Sequence, residues 1–127
     1  MGYTRYWKRT SKPMDGSFVR FCNAVFSTCK KLGIDICGWD GKGKPIVTET
    51  AVIFNGTAEN DLDHETFVLN EQKGFNFCKT AEKPYDYAVR TILREALTRG
   101  YITELEDDGF YKDIVSDKEY LAKLAHK

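Results

Sequence analysis

Five apolar residues, Phe18, Cys22, Val25, Cys29 and Leu32, follow one another at spacings of four, three, four and three. At 3.6 residues per turn, an α-helix gathers residues so spaced onto one side. The spacing predicts an amphipathic helix over residues 15–32, whose stripe must be buried against other elements. Asp15 or Ser17 is suited to cap its first turn. Lys30 and Lys31 lie where the helix dipole favours cations, and Gly33 suits the left-handed residue that ends a helix. Phe21 and Phe26 widen the stripe.

Around this helix the period changes from 3.6 to 2. Residues 3–9 alternate and are rich in Tyr and Trp, with Tyr3, Arg5 and Trp7 on one face and Thr4 and Tyr6 on the other, which predicts a strand. Further strands are predicted at 34–39, 46–54, 66–69, 75–78 and 101–106. Turns separate them at 40–45, at Asn55-Gly56 and at Lys73-Gly74. Pro84 suits the first turn of a second helix, with Tyr85, Val89, Ile92 and Ala96 as its stripe, Leu93 and Leu97 beside it, and Arg99-Gly100 at its end. Ser116-Asp117-Lys118-Glu119 is a capping box before a last helix carrying Tyr120, Leu121 and Leu124. The order β-α-β-β-β-β-α-β-α predicts an α+β fold, a mostly antiparallel sheet with the helices packed on one face. No repeat or linker divides residues 1–127, so one globular domain is expected.

Composition narrows the function classes. An apolar fraction of 42% in 127 residues is enough for a core and too much for a disordered chain. Nineteen Lys and Arg balance nineteen Asp and Glu, which argues against general nucleic-acid binding or attachment to an acidic membrane surface through an overall field. No apolar run reaches the roughly 18–20 residues that span a bilayer. The opening residues lack the apolar core of a secretory signal, so a cytoplasmic location is expected, the host cytoplasm for a phage-encoded chain. Cys22, Cys29, Cys37 and Cys78 show no paired spacing, and the histidines are His64 and His126. No metal set and no cofactor are predicted, and the thiols are expected to be free.

The zero total is locally uneven. Residues 1–12 hold Arg5, Lys8, Arg9 and Lys12 and no acid. Residues 49–71 hold Glu49, Glu59, Asp61, Asp63, Glu65 and Glu71 and no Lys or Arg. Opposed charged edges of this kind suit docking between subunits of a homo-oligomer.

The strongest candidate site is Lys79-Thr80-Ala81-Glu82-Lys83-Pro84-Tyr85-Asp86, which links a predicted strand to a predicted helix. A helix start offers unpaired N–H groups and a positive dipole end, and here Lys79, Lys83 and the Thr80 hydroxyl flank it, a combination suited to an anion. Tyr85 is placed to stack on a ring, and Asp86 to accept from a hydroxyl. The first strand supplies a possible stacking wall in Tyr3, Tyr6 and Trp7, with Arg5 among them. Asn55 is a turn residue that would read polar edges if its backbone faced a ligand. Gly41-Lys42-Gly43-Lys44 lacks the spacing of a phosphate loop and reads as a hairpin turn. Asp61, Asp63, His64 and Glu65 read as a solvated acidic loop. Cys78 beside Lys79 has no histidine placed to act as its base.

Met1-Gly2-Tyr3-Thr4-Arg5-Tyr6-Trp7, Ile53-Phe54-Asn55-Gly56, and Phe77-Cys78-Lys79-Thr80 followed by Lys83-Pro84-Tyr85-Asp86 occur in this order along most of the chain. In these segments the chain resembles a family of small phage and bacterial proteins that open with a Gly-Tyr-Thr-x-Tyr-Trp strand and carry a Phe-Cys-Lys-Thr…Pro-Tyr-Asp segment. Arg5 stands where that pattern has His, which puts any imidazole role there in doubt. The resemblance implies a phage or mobile-element origin and no particular mechanism.

The expectation is therefore a non-enzymatic phage-type protein that sequesters a small anionic, nucleotide-like ligand, such as a host antiphage defence signal. Its expected binding residues are Lys79, Thr80, Lys83, Tyr85, Asp86, Tyr3, Arg5, Tyr6, Trp7 and Asn55. Two alternatives stand beside it. One is an enzyme acting on a nucleotide or nucleic acid, with Asp86 as base and Lys79 stabilising charge. The other is a protein–protein inhibitor of a host factor that works through its acidic segments.

Overall fold

A computed structural model describes residues 3–107. The elements are β1 (Thr4–Arg9), α1 (Gly16–Lys31), β2 (Ile36–Cys37), β3 (Ile46–Val47), β4 (Ala51–Gly56), a 3-10 turn (Glu59–Asp61), β5 (Phe67–Asn70), β6 (Gly74–Lys79), α2 (Asp86–Thr98) and β7 (Ile102–Asp107). The fold is α+β, and its strands form two antiparallel sheets rather than the single sheet expected. One sheet has the order β6-β1-β7. In the other, β4 pairs with β2, β3 and β5. The last expected helix, from Ser116, lies outside the described residues.

The first helix forms as its spacing dictates. Phe18, Cys22, Val25 and Cys29 are buried, and the Asp15 carboxylate accepts the Phe18 N–H at 3.0 Å as its cap. Gly33 has φ +76, and the Ile34 N–H reaches back to the Cys29 carbonyl at 2.8 Å, so the helix ends in a left-handed turn. Leu32, expected in the stripe, follows the last helical residue and is exposed.

Residues 46–54, expected as one strand, are two. The Thr48 hydroxyl accepts the N–H groups of Thr50 and Ala51, and this side-chain turn folds Val47 back onto Val52. Asn55-Gly56, expected as a hairpin turn, instead finishes β4 in extended pairing with Cys37 and Ile36. Gly56 is required there for closeness: a Cβ would collide with the Leu62 carbonyl oxygen and press on the Tyr85 ring.

An aromatic chain crosses the layers. Trp7 of β1 lies 5.5 Å from Phe67 of β5, Phe67 lies 4.9 Å from Phe54 of β4, and Phe54 meets Phe26 of α1 at 5.2 Å. Arg9 ties the same layers at their rim, its guanidinium donating to the carbonyls of Asn70, Thr10, Lys12 and Tyr101. The first half of α2 is buried on nearly every side, from Asp86 to Arg90.

Gly56→Ala is expected to lower stability by about 1–3 kcal/mol through overpacking. The measurement is the denaturant midpoint at unchanged slope; an unshifted midpoint would show that Leu62 moves aside freely.

Candidate functional site

In antiparallel pairing, residues directly opposite share a face. The β1–β6 register sets Thr4 against Lys79, Tyr6 against Phe77 and Lys8 against Phe75. The alternate rungs are Arg5 with Cys78, Trp7 with Asn76 and Arg9 with Gly74. Arg5, Trp7, Arg9 and Cys78 are buried, so that face turns inward; on the other face Lys8, Phe75, Phe77 and Lys79 are exposed, Tyr6 is half-buried and Thr4 is buried.

On the inner face, Arg5 is 2% exposed and the Asp86 carboxylate at the start of α2 is fully buried. The Arg5 Nε and Nη2 donate to the two Asp86 oxygens, each at 2.8 Å, in a forked pair. The Thr80 hydroxyl donates to the same Asp86 oxygen as Nε, at 2.8 Å. The Arg5 Nη1 also reaches Asp107 of β7 at 3.3 Å, and the Tyr3 ring lies 5.1 Å from the guanidinium carbon. Burial raises the Tyr3 hydroxyl above its ordinary titration range, against the lowering influence of Arg5.

The helix start itself is closed. The N–H groups of Asp86, Tyr87 and Ala88 donate to the carbonyls of Lys83, Pro84 and Tyr85, and the Lys83 N–H donates to the Thr80 carbonyl. The amides expected to face an anion are therefore spent on backbone turns. Lys83 is engaged with Asp61, donating to its carbonyl at 2.7 Å. The Tyr85 hydroxyl is buried and donates to the Glu65 carbonyl. Ala81 and Glu82 sit at φ 52 and 54, a left-handed bend, and the Thr80 hydroxyl accepts the Glu82 N–H.

The remaining expected residues separate. Asn55 is buried and staples a loop: its amide nitrogen donates to the His64 carbonyl at 2.9 Å, and its oxygen accepts the N–H groups of Gly56 and His64. Trp7 is a core residue against Phe67. Thus Arg5, Trp7, Asn55, Thr80, Tyr85 and Asp86 face the interior, where no dissolved ligand reaches them. The fully buried Asp86 carboxylate, held by Arg5 and Thr80, is likewise not placed to act as a base toward one.

Tyr6 and Lys79 share the outward face, and they have company that sequence reasoning passed over. Phe75 is 67% exposed and Phe77 47%. The ring centroids of Tyr6 and Phe75 are 6.1 Å apart, and those of Phe75 and Phe77 are also 6.1 Å apart. Lys8 stands opposite Phe75 at one end of this row and Lys79 at the other, while Glu106 stands opposite Tyr6 on the β7 side. The alternation Phe75-Asn76-Phe77-Cys78-Lys79 was the available signal, since a buried Cys78 forces both Phe rings outward.

Elsewhere, a cleft of about 520 Å³ runs between Ile36-Cys37, the Gly41-Lys42-Gly43 turn and Thr57-Glu59. Burial, Asp35 and Glu59 raise the Cys37 thiol there, against the lowering bond to Thr57. Among the described residues no cluster of His, Cys, Asp and Glu is placed to hold a metal ion, and no helix is long and apolar enough to cross a membrane. No family model matches the chain, and neither a curated protein nor a solved structure matches it.

Arg5→Met is expected to destabilise the protein by about 3–5 kcal/mol, because it leaves the Asp86 charge buried without its partner. Replacing both in Arg5→Met/Asp86→Leu should recover part of that loss, the remainder being the nearly buried Asp107 carboxylate that loses the same guanidinium. Equal instability of the single and double variants in denaturant would refute this assignment.

Burial pushes the Cys22 and Cys29 thiols from 9.0 up to about 12. The stability carried by the neutral thiols is present below about pH 9 and is lost as pH rises toward 12. Unfolding midpoints measured from pH 8 to 11 should therefore fall, and fall less steeply in Cys22→Ala/Cys29→Ala.

Proposed function

We propose that this protein is a non-enzymatic binding protein that sequesters a small anionic, nucleotide-like ligand on the outward face of the β6-β1-β7 sheet. The observation that carries the proposal is the row of exposed Phe75 and Phe77 and half-buried Tyr6 between Lys8 and Lys79. Large aromatic rings left in water are costly unless something covers them, and a flat heteroaromatic ring is a natural cover, worth roughly 1–3 kcal/mol per stacked base. Lys79 and Lys8 would take phosphate oxygens, and the Glu106 carboxylate would accept from a ring amino group.

The site thus moves from the closed helix start to the sheet face, keeping Tyr6 and Lys79 from the sequence expectation. The resemblance to small phage and bacterial proteins extends the proposal to a signalling nucleotide of a host defence system, withdrawn from solution by binding.

The test is a thermal-shift panel of mononucleotides and cyclic oligonucleotides. A true ligand raises the unfolding temperature by mass action, about 2.7 kcal/mol of stabilisation at a hundredfold excess over Kd. Tyr6→Ala or Phe75→Ala should weaken that ligand roughly tenfold to a hundredfold, from the loss of one stacked ring. Lys79→Ala should weaken it and flatten its salt dependence. The bound molecule should return intact after heat denaturation. A flat response across the panel, or recovery of a hydrolysed product, would overturn the proposal.

A further inference from the structure

The two edges of the β6-β1-β7 sheet are built differently. Along β7 run Glu104, Glu106 and Asp107, the register against β1 slips between Tyr6 and Lys8, and Glu104 sits at φ 55. Charge and a bulge are the means by which natural edges avoid pairing with other chains. The β6 edge has neither. From Gly74 to Cys78 there is no charged residue and no Pro, and the register against β1 is continuous.

Register also decides which backbone groups of β6 point outward. The Thr80 N–H donates to the Tyr3 carbonyl, so Cys78 and Asn76 are the residues bonded to β1, and the N–H and C=O of Phe75, Phe77 and Lys79 turn away from it. Those of Lys79 are taken by Glu65: its carbonyl accepts the Glu65 N–H at 3.2 Å, and its N–H donates to Oε1 at 3.0 Å. Those of Phe75 and Phe77 have no partner among the described residues. Phe67 packs beneath Trp7, so β5 runs in the second layer, and among the described residues this edge is open.

We propose that a second copy of this chain pairs along the β6 edge, antiparallel, about a two-fold axis at Asn76. This register sets Phe75 of each copy against Phe77 of the other and mates every free group of both residues. A shift of one rung either way sets a free residue against Lys79, already held by Glu65, or against Lys73 in the preceding turn. The Phe rings then form cross-strand aromatic pairs on the outward face. The assembly closes at two copies, because the described residues of each leave one open edge and one guarded edge and the interface is isologous. Lys79 and the other copy's Lys73 approach at the ends of the ladder, so salt strengthens the association by screening them. The inference is independent of the ligand proposal, since edge pairing leaves the outward face uncovered.

The test uses the full chain without ligand. Sedimentation across a concentration series should give a monomer–dimer equilibrium that tightens with added salt, and Phe75→Lys/Phe77→Lys should be monomeric with unchanged far-ultraviolet circular dichroism. Trp39→Ser, which removes an exposed aromatic outside β6, should leave the dimer intact. In the unmodified protein, hydrogen exchange at the Phe75 and Phe77 amides should slow as concentration rises, while the Asn76 amide, bonded to β1, stays constant. A monomer at every concentration, open-ended assembly, a dimer lost in Trp39→Ser, or concentration-independent exchange at Phe75 and Phe77 would each overturn it.

Discussion

The forked pair between Arg5 and Asp86 joins two segments 81 residues apart and sits where the middle strand of one sheet meets the start of a helix. A buried charge pair is a poor source of net stability, because desolvating the two ions offsets most of their attraction. Its effect is discrimination. Any register of β1 that turned Arg5 outward would strand the Asp86 carboxylate in an apolar interior, together with the Thr80 hydroxyl that donates to it. A slip of one residue reverses every side chain of a strand. The pair therefore fixes which face of β1 carries Trp7 into the core and which carries half-buried Tyr6 and exposed Lys8 outward.

That sorting explains what could be read from the residues beforehand. The alternation from Tyr3 to Arg9 and the stripe from Phe18 to Cys29 stated their elements plainly, because period and burial agree there. Alternation also said that Arg5 and Tyr6 lie on opposite faces, yet it does not say which face is wet. Arg5 is the charged residue and by itself reads as a ligand contact, whereas its partner lies far away in sequence and only tertiary contact reveals it. Thr80, Tyr85 and Asp86 misled for the same reason: polar side chains at a helix start serve a ligand or the fold, and the Arg5 pairing decides for the fold.

The sheet architecture was less legible for a local reason. Nothing in the β-branched run from Ile46 to Phe54 marks a reversal except three consecutive polar residues, Thr48-Glu49-Thr50. The turn there depends on a threonine hydroxyl replacing backbone partners. Asn55-Gly56 is the converse, a turn dipeptide used for tight packing, where Asn55 stitches the His64 segment and Gly56 lets the Leu62 carbonyl approach. Propensity describes isolated segments, and both exceptions arise where another segment comes close.

The position of β1 between β6 and β7 has a consequence for synthesis. The strand at residues 4–9 leaves the ribosome well before its neighbours at 74–79 and 102–107. Until both are available, Arg5 lacks its full set of carboxylate partners and β1 lacks its ladder bonds. The nascent chain must hold an aromatic, cationic segment unpaired until residues 74–107 have been made. Such long-range closure slows folding and exposes intermediates to aggregation. The positive charges clustered around Tyr6 and Trp7 keep that waiting segment hydrated and mutually repelling.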